Sequence, residues 1–132
     1  WKAEALIDLD RWEEATPTIN RLRARAAAST GRLNEASMYR IGTYDTFANK
    51  TEARQALRWE RRVELGLEGH RFFDLVRWGV AKETIDEYLT TERGRKPYLE
   101  DAAFTKNKHE YLPIPNQQIN LSGGIYVQNP GY

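Results

Sequence analysis

Set on a helical wheel at about 100° per residue, Ala53, Ala56, Leu57, Val63 and Leu67 share one sector, and Glu60 and Glu64 fall inside that same sector. A helix with this pattern turns two carboxylates toward its own core. An unpaired buried carboxylate costs several kcal/mol, so each must be protonated or must meet a cation and further hydrogen-bond donors. Whatever the chain folds into has to bring those groups to this helix. The stretch "LEGHRFFDLVRWG", Leu67 to Gly79, offers them. It predicts a second short helix running to about Trp78, with Phe72, Leu75, Val76 and Gly79 on an apolar side and His70, Arg71, Asp74, Arg77 and Trp78 on the other. Arg71, Asp74 and Arg77 are spaced i, i+3, and either arginine can reach the glutamates across the bend at Gly69. Glu60, Arg61, Glu64, Arg71, Asp74 and Arg77 then form one structural ion-pair network.

Helical periodicity extends upstream. Residues 1–28 read as two helices joined by a tight turn, with Asp10 and Glu13 spaced like a capping box and Ala15, Ile19, Leu22 and Ala26 as one apolar stripe. Pro17 predicts a kink in the second helix, or its start after Thr16. The basic run Arg21, Arg23, Arg25, Arg32 reads as a solvated face. Between Ala28 and Lys50 no period is sustained, and a long ordered loop is expected. Thr51 is placed to cap the helix that follows, which should run to about Glu68, with Gly69 as its left-handed cap. Another helix is expected near Lys82 to Thr91. From Arg93 onward Pro, Gly and Asn dominate, and turns, short extended pieces and one brief turn after Pro115 are expected.

The fold class is therefore all-α: a tetratricopeptide-like helix pair at 1–28, a loop at 29–50, helices at 51–91 and an irregular tail at 92–132. Only one such pair is visible, and a single pair cannot bury its own face. Twenty basic against nineteen acidic residues argue against nucleic acid as a partner, because phosphate neutralisation needs a clustered positive excess. Without cysteine there is no thiolate nucleophile and no Cys-ligated zinc.

Charged residues packed this densely invite catalytic readings. Glu60 and Glu64 at i, i+4 meet the separation of a glycosidase carboxylate pair loosely, but alanine and leucine hem them in. His70 and Asp74 lack a third metal ligand, since His109 stands in a loop with no paired spacing. No G-x-S-x-G nucleophile turn is present. Scaffolding accounts for these residues better than catalysis, and no catalytic residue, metal ligand or cofactor is assigned.

The segment "ERRVELGLEGHRFFDLVRWG", Glu60 to Gly79, resembles the most recognisable stretch of the SusD/RagB family. "AEALIDLDRWEEATPTINRLRARA" resembles that family's last tetratricopeptide-like pair, "YLPIPNQQINLS" its "LPIP" turn and "VQNPGY" its C-terminus, all in the family's order. The resemblance implies the C-terminal segment of a bacterial outer-membrane lipoprotein that captures nutrients, usually oligosaccharides, at the cell surface. It implies a SusC-like TonB-dependent transporter as partner and a lipid anchor at an N-terminus outside this chain. It also supports scaffolding roles for the charged residues of Glu60 to Gly79. Gly66 stands where the family more often has Ala, a cost of up to about 1 kcal/mol within a helix. Tyr39 to Lys50 matches no family pattern, so ligand residues do not carry over; Tyr39 and Tyr44 are candidates by composition, as aromatic platforms in a loop.

A non-catalytic glycan-binding module is thus expected, with a helical-repeat interaction scaffold as the alternative and a small hydrolase using Glu60 and Glu64 as a third reading. The tail, poor in helix formers yet carrying Ile114, Ile119, Ile125, Tyr126 and Tyr132, is expected to gain its order by packing those side chains over the helices of Thr51 to Trp78.

Overall fold

A computed structural model of the chain describes residues 1–29 and 40–132, and the only regular structure among them is helical. Two compact units are formed, Trp1–Leu67 and Glu68–Tyr132.

In the first unit, α1 (Lys2–Asp8) and α2 (Trp12–Ala27) pack on each other and against α3 (Lys50–Glu64). Ala3, Ile7, Ala15, Ile19, Phe47, Ala53 and Leu57 make the core, with Ile7 and Ile19 wholly enclosed. The expected apolar stripe of α2 is there: Ala15 and Ile19 are buried, Leu22 and Ala26 half-buried.

The start signals differ from those expected. Asp10 does not cap α2, because it takes a left-handed conformation (φ 61°) one position before the cap residue Arg11 and its carboxylate turns to Lys50, 2.8 Å away. Arg11 pairs with Glu14 instead, 2.7 Å apart. Pro17 neither starts nor ends α2, which begins at Trp12 and runs through it. For α3 the cap is Asn49, not Thr51. Its Oδ1 accepts from the Glu52 amide at 3.0 Å, while the Glu52 carboxylate accepts from the Ala48 amide at 2.7 Å, a reciprocal arrangement that satisfies two amides at the helix start.

α3 also ends earlier than the sequence predicts. Leu65 leaves helical geometry and Leu67 is left-handed (φ 67°), so Gly66 lies beyond the helix and its helix-interior cost does not arise. Leu67 consequently loses its place on the apolar face and is fully exposed; Val63, at the rim of that face, is exposed too. Gly69 is left-handed as expected (φ 77°) but precedes α4 instead of capping α3.

In the second unit, α4 (Arg71–Arg77) ends in a Schellman motif: Gly79 is left-handed (φ 70°), its amide donates to the Val76 carbonyl at 2.9 Å, and the Val80 amide donates to the Leu75 carbonyl at 3.0 Å. The chain then re-enters helix as α5 (Ala81–Glu92), and Leu75, Ala81 and Phe104 form a small core flanked by Val76, Val80 and Ile85. A 3-10 turn, Pro97–Leu99, and α6 (Asn116–Leu121) punctuate the rest.

Polar contacts tie the tail to itself, and of the side chains expected to pack, Ile114 and Ile119 are half-buried. Gln128 brackets Ile114, accepting from its amide at 2.8 Å and donating to its carbonyl at 2.9 Å. Asn129 Nδ2 donates to the Leu112 carbonyl at 2.6 Å, and the Tyr132 hydroxyl to the Tyr111 carbonyl at 3.0 Å. Ile125, Tyr126 and Tyr132 are exposed, so apolar burial of these side chains does not hold the segment. The Gln128 amide carries both a donor and an acceptor, so one side chain pairs both polar groups of the Ile114 backbone.

Candidate functional site

The most connected group of polar side chains in the first unit centres on Glu60. It stands one turn beyond Leu57 on α3, and its side chain is only 12% exposed. Its Oε1 accepts from Arg23 of α2 and, at 3.0 Å, from the hydroxyl of Tyr44. Arg23 in turn donates to the Gly42 carbonyl and places its guanidinium 4.7 Å from the centre of the Tyr44 ring. Asn20, one turn before Arg23 on α2, makes two bonds to the Tyr44 backbone: its Oδ1 accepts from the amide at 2.9 Å and its Nδ2 donates to the carbonyl at 2.7 Å. Phe47 completes the surroundings, its ring 5.2 Å from that of Tyr44. Burial, and then the bond to Glu60, raise the Tyr44 hydroxyl pKa above its ordinary value.

This arrangement locks the segment at 40–49 onto α2 and α3. A tyrosine bonded through its hydroxyl, amide and carbonyl and covered by a guanidinium is not a free face for a sugar ring. Tyr39 lies outside the described residues.

Glu64, one turn further along α3, pairs with Arg25 at the surface, where the side chains are 34% and 64% exposed. The basic run on α2 is therefore not a uniformly solvated face, since Arg23 and Arg25 both reach across to α3. The signal was available: Arg23 sits i+4 from the buried Ile19, on the flank of the apolar stripe, as Glu60 sits within the stripe of α3. Arg61 lays its guanidinium 4.7 Å from the Trp1 ring. Trp1, Arg61, Glu60, Glu64 and Leu57 line an apolar cavity of about 230 Å³ between the helices of this unit.

In the second unit Asp74 is buried on α4 and accepts from Nε of Arg77 at 2.9 Å, with Nη2 of the same guanidinium at an ion-pair distance of 2.9 Å, while that guanidinium lies 4.9 Å from the Trp78 ring. Arg71 opens the same helix. His70 stands half-exposed with Nε2 4.0 Å from Glu68, and His109 Nδ1 accepts from the Thr105 amide at 2.8 Å with its ring edge-on to Phe104. The two histidines thus have separate structural surroundings, and no group of three His, Cys, Asp or Glu that could hold a metal occurs among the described residues. No helix among them is long and apolar enough to cross a membrane.

Comparison with known proteins gives these residues a context. The model of the SusD family matches residues 1–132. SusD-like protein P2 of Formosa agariphila is 29% identical over 131 residues, which is 98% of this chain and 23% of that protein. SusD-like protein P25 of the same organism is 32% identical over 73 residues, 52% of this chain and 12% of that protein. The chain spans less than a quarter of the length of these curated relatives.

Proposed function

Because the chain belongs to the SusD family, we propose that it is the C-terminal, non-catalytic segment of a cell-surface protein that binds glycans for uptake. In this reading the whole protein is held at the outer membrane by a lipid anchor outside this chain and works with a SusC-like TonB-dependent transporter. The observation that carries the reading is the match of the family model along all 132 residues.

The ion pairs of the two units support a scaffolding role for this segment. Glu60 and Glu64, the two carboxylates that would serve a hydrolase, are committed to Arg23 and Arg25, and the first also to Tyr44. Asp74 is committed to Arg77. In this reading Glu60 and Glu64 hold α3 to α2, Asp74 and Arg77 brace α4, and most of the sugar contacts come from other parts of the protein. With Tyr44 locked into the first unit, the loop tyrosine left as a proposed contact is Tyr39.

A glycan array probed with the product of the complete reading frame tests this. Retention of one class of oligosaccharide, recovered chemically unchanged, is expected. Failure to retain any glycan, or release of shortened sugars, overturns it.

A further inference from the structure

Within the first unit a groove of about 760 Å³ runs between α2 and the segment at 40–49, a size in the range of small-ligand sites. Glu13, Pro17 and Arg21, at successive turns of α2, stand on one wall, and Thr43, Asp45 and Thr46 on the other. Tyr44, between Thr43 and Asp45, turns the opposite way to reach Glu60. The bonds that deny Tyr44 to a sugar ring therefore fix this wall from behind, since Asn20 holds both polar groups of the Tyr44 backbone. With one wall a helix and the other pinned to it, little freedom is lost when a ligand enters.

The charged groups of the groove are uncommitted. Arg23 and Arg25 on α2 are paired with Glu60 and Glu64, whereas the side chains of Glu13, Arg21 and Asp45 have no ion pair or hydrogen bond among the described residues. Pro17 adds a backbone acceptor: α2 runs through it, and a proline has no amide to return to the carbonyl four residues back, that of Glu13. Two carboxylates beside one guanidinium then set the ligand class. An anion is repelled by Glu13 and Asp45, and a cation has to share them with Arg21. A hydroxyl, which donates to a carboxylate or a carbonyl and accepts from a guanidinium, suits all of these groups. The lining has no aromatic ring, so a ligand is held here through its hydroxyls, with the Pro17 ring and the threonine methyls as apolar contacts.

We infer that this groove is a subsite for a run of neutral sugar residues, with Glu13 and Asp45 accepting from sugar hydroxyls and Arg21 donating to them. This rests on the proposal that the chain belongs to a glycan-binding protein, and it adds to that proposal a place in the first unit and a charge class for the sugar.

Calorimetric titration of the complete protein with maltohexaose, cellohexaose, xylohexaose and mannohexaose, and with hexagalacturonate as the charged comparator, tests it. At least one neutral hexasaccharide should bind, and Asp45→Ala and Arg21→Ala should each weaken that binding about fivefold or more, the worth of a lost hydrogen bond to a charged group. Neither change should move the melting temperature, because neither side chain has a partner to lose. Asp45→Asn, which keeps an acceptor without the charge, should weaken binding less than Asp45→Ala. Unchanged affinity in both alanine variants overturns the inference and leaves the glycan-binding proposal standing. Binding of none of the neutral hexasaccharides, or of hexagalacturonate alone, overturns it as well. A melting temperature lowered by several degrees in both variants assigns the groove to another part of the protein and overturns it too. Retention of no glycan on the array, by contrast, removes the glycan-binding proposal itself and this subsite with it.

Discussion

Arg23 on α2 and Glu60 on α3, 37 positions apart in sequence, form an ion pair at the edge of the first unit's core, and Tyr44 from the connecting segment donates to the same carboxylate oxygen. Three separate stretches of chain are tied at one oxygen. The pair lies where the solvent is largely excluded, with the two side chains 22% and 12% exposed. Removing one partner strands the other charge in an environment that hydrates it poorly.

Arg23→Ala should therefore cost about 2–3 kcal/mol of unfolding free energy, below the full cost of stranding a completely buried charge because Arg23 keeps some contact with water. Replacing Arg23 and Glu60 together should cost clearly less than the sum of the two single changes. Denaturant melts of the four proteins in a double-mutant cycle measure this, and strict additivity would show the two groups to be uncoupled.

Glu64 marks the contrast. Sequence reasoning gives it the same standing as Glu60, yet its partner Arg25 is 64% exposed and the pair lies at the surface. Glu64→Ala should cost less than about 1 kcal/mol, the range of exposed ion pairs. A loss as large as that of Glu60→Ala would mean that Glu64 is shielded from water in solution.

That difference shows what can be read from the sequence and what cannot. The wheel turns Glu60 toward the core correctly, because the helical period fixes direction, whereas Glu64, placed in the same sector, is exposed. It does not fix where the helix stops. α3 ends at Glu64, so its last residue sits at the rim and Leu67 leaves the face altogether. Arg23 as a partner was hidden for a different reason: it comes from an element 37 residues away, and pairing across that distance is decided by how α2 and α3 pack. Helix identity was legible in periods and helix ends were less so. Asp10, Asn49 and Thr51 are all competent caps by composition, and backbone geometry, left-handed at Asp10 and extended at Asn49, decides among them. The polar ties of the tail were not legible, because the bonds of Gln128 and Asn129 depend on a chain reversal that no period announces.

Tyr44 gives the first unit a pH dependence of known sign. Burial and the bond to Glu60 raise its hydroxyl above the ordinary value of 10.0, so the folded protein keeps a proton that the unfolded chain gives up first. The stabilisation is complete below about pH 10 and is lost as the pH rises through the folded-state value. Denaturant midpoints taken from about pH 8 to about pH 11 should fall more steeply for the wild type than for Tyr44→Phe, which has no proton to lose. The difference in ultraviolet absorbance between the two proteins should show one tyrosine titrating late. Parallel midpoint curves and no late titration would mean that the Tyr44 hydroxyl is solvated.

The tail depends on one amide side chain more than on any of its apolar residues. Gln128 Oε1 accepts from the amides of Ile114 and Asn129, at 2.8 and 2.9 Å, while its Nε2 donates to the Ile114 carbonyl at 2.9 Å. Gln128→Ala removes all three bonds and should cost about 1–2 kcal/mol, given the modest net worth of each. Gln128→Glu keeps the acceptor but turns a carboxylate oxygen toward the Ile114 carbonyl, so it should not rescue the loss. The diagnostic is local. Exchange of the Ile114 amide should accelerate in both variants, while the Ile119 amide, bonded within the turn of α6 to the Pro115 carbonyl at 3.2 Å, keeps its protection. Gly131→Ala supplies an independent check: the glycine is left-handed (φ 87°), and an added Cβ would come within 3.0 Å of the Lys108 side chain, which also covers Tyr132. It should loosen the Tyr132 bond to Tyr111 and expose the same Ile114 amide. If that amide exchanges at an unchanged rate in all three variants, the loop is held by something other than its own C-terminal residues.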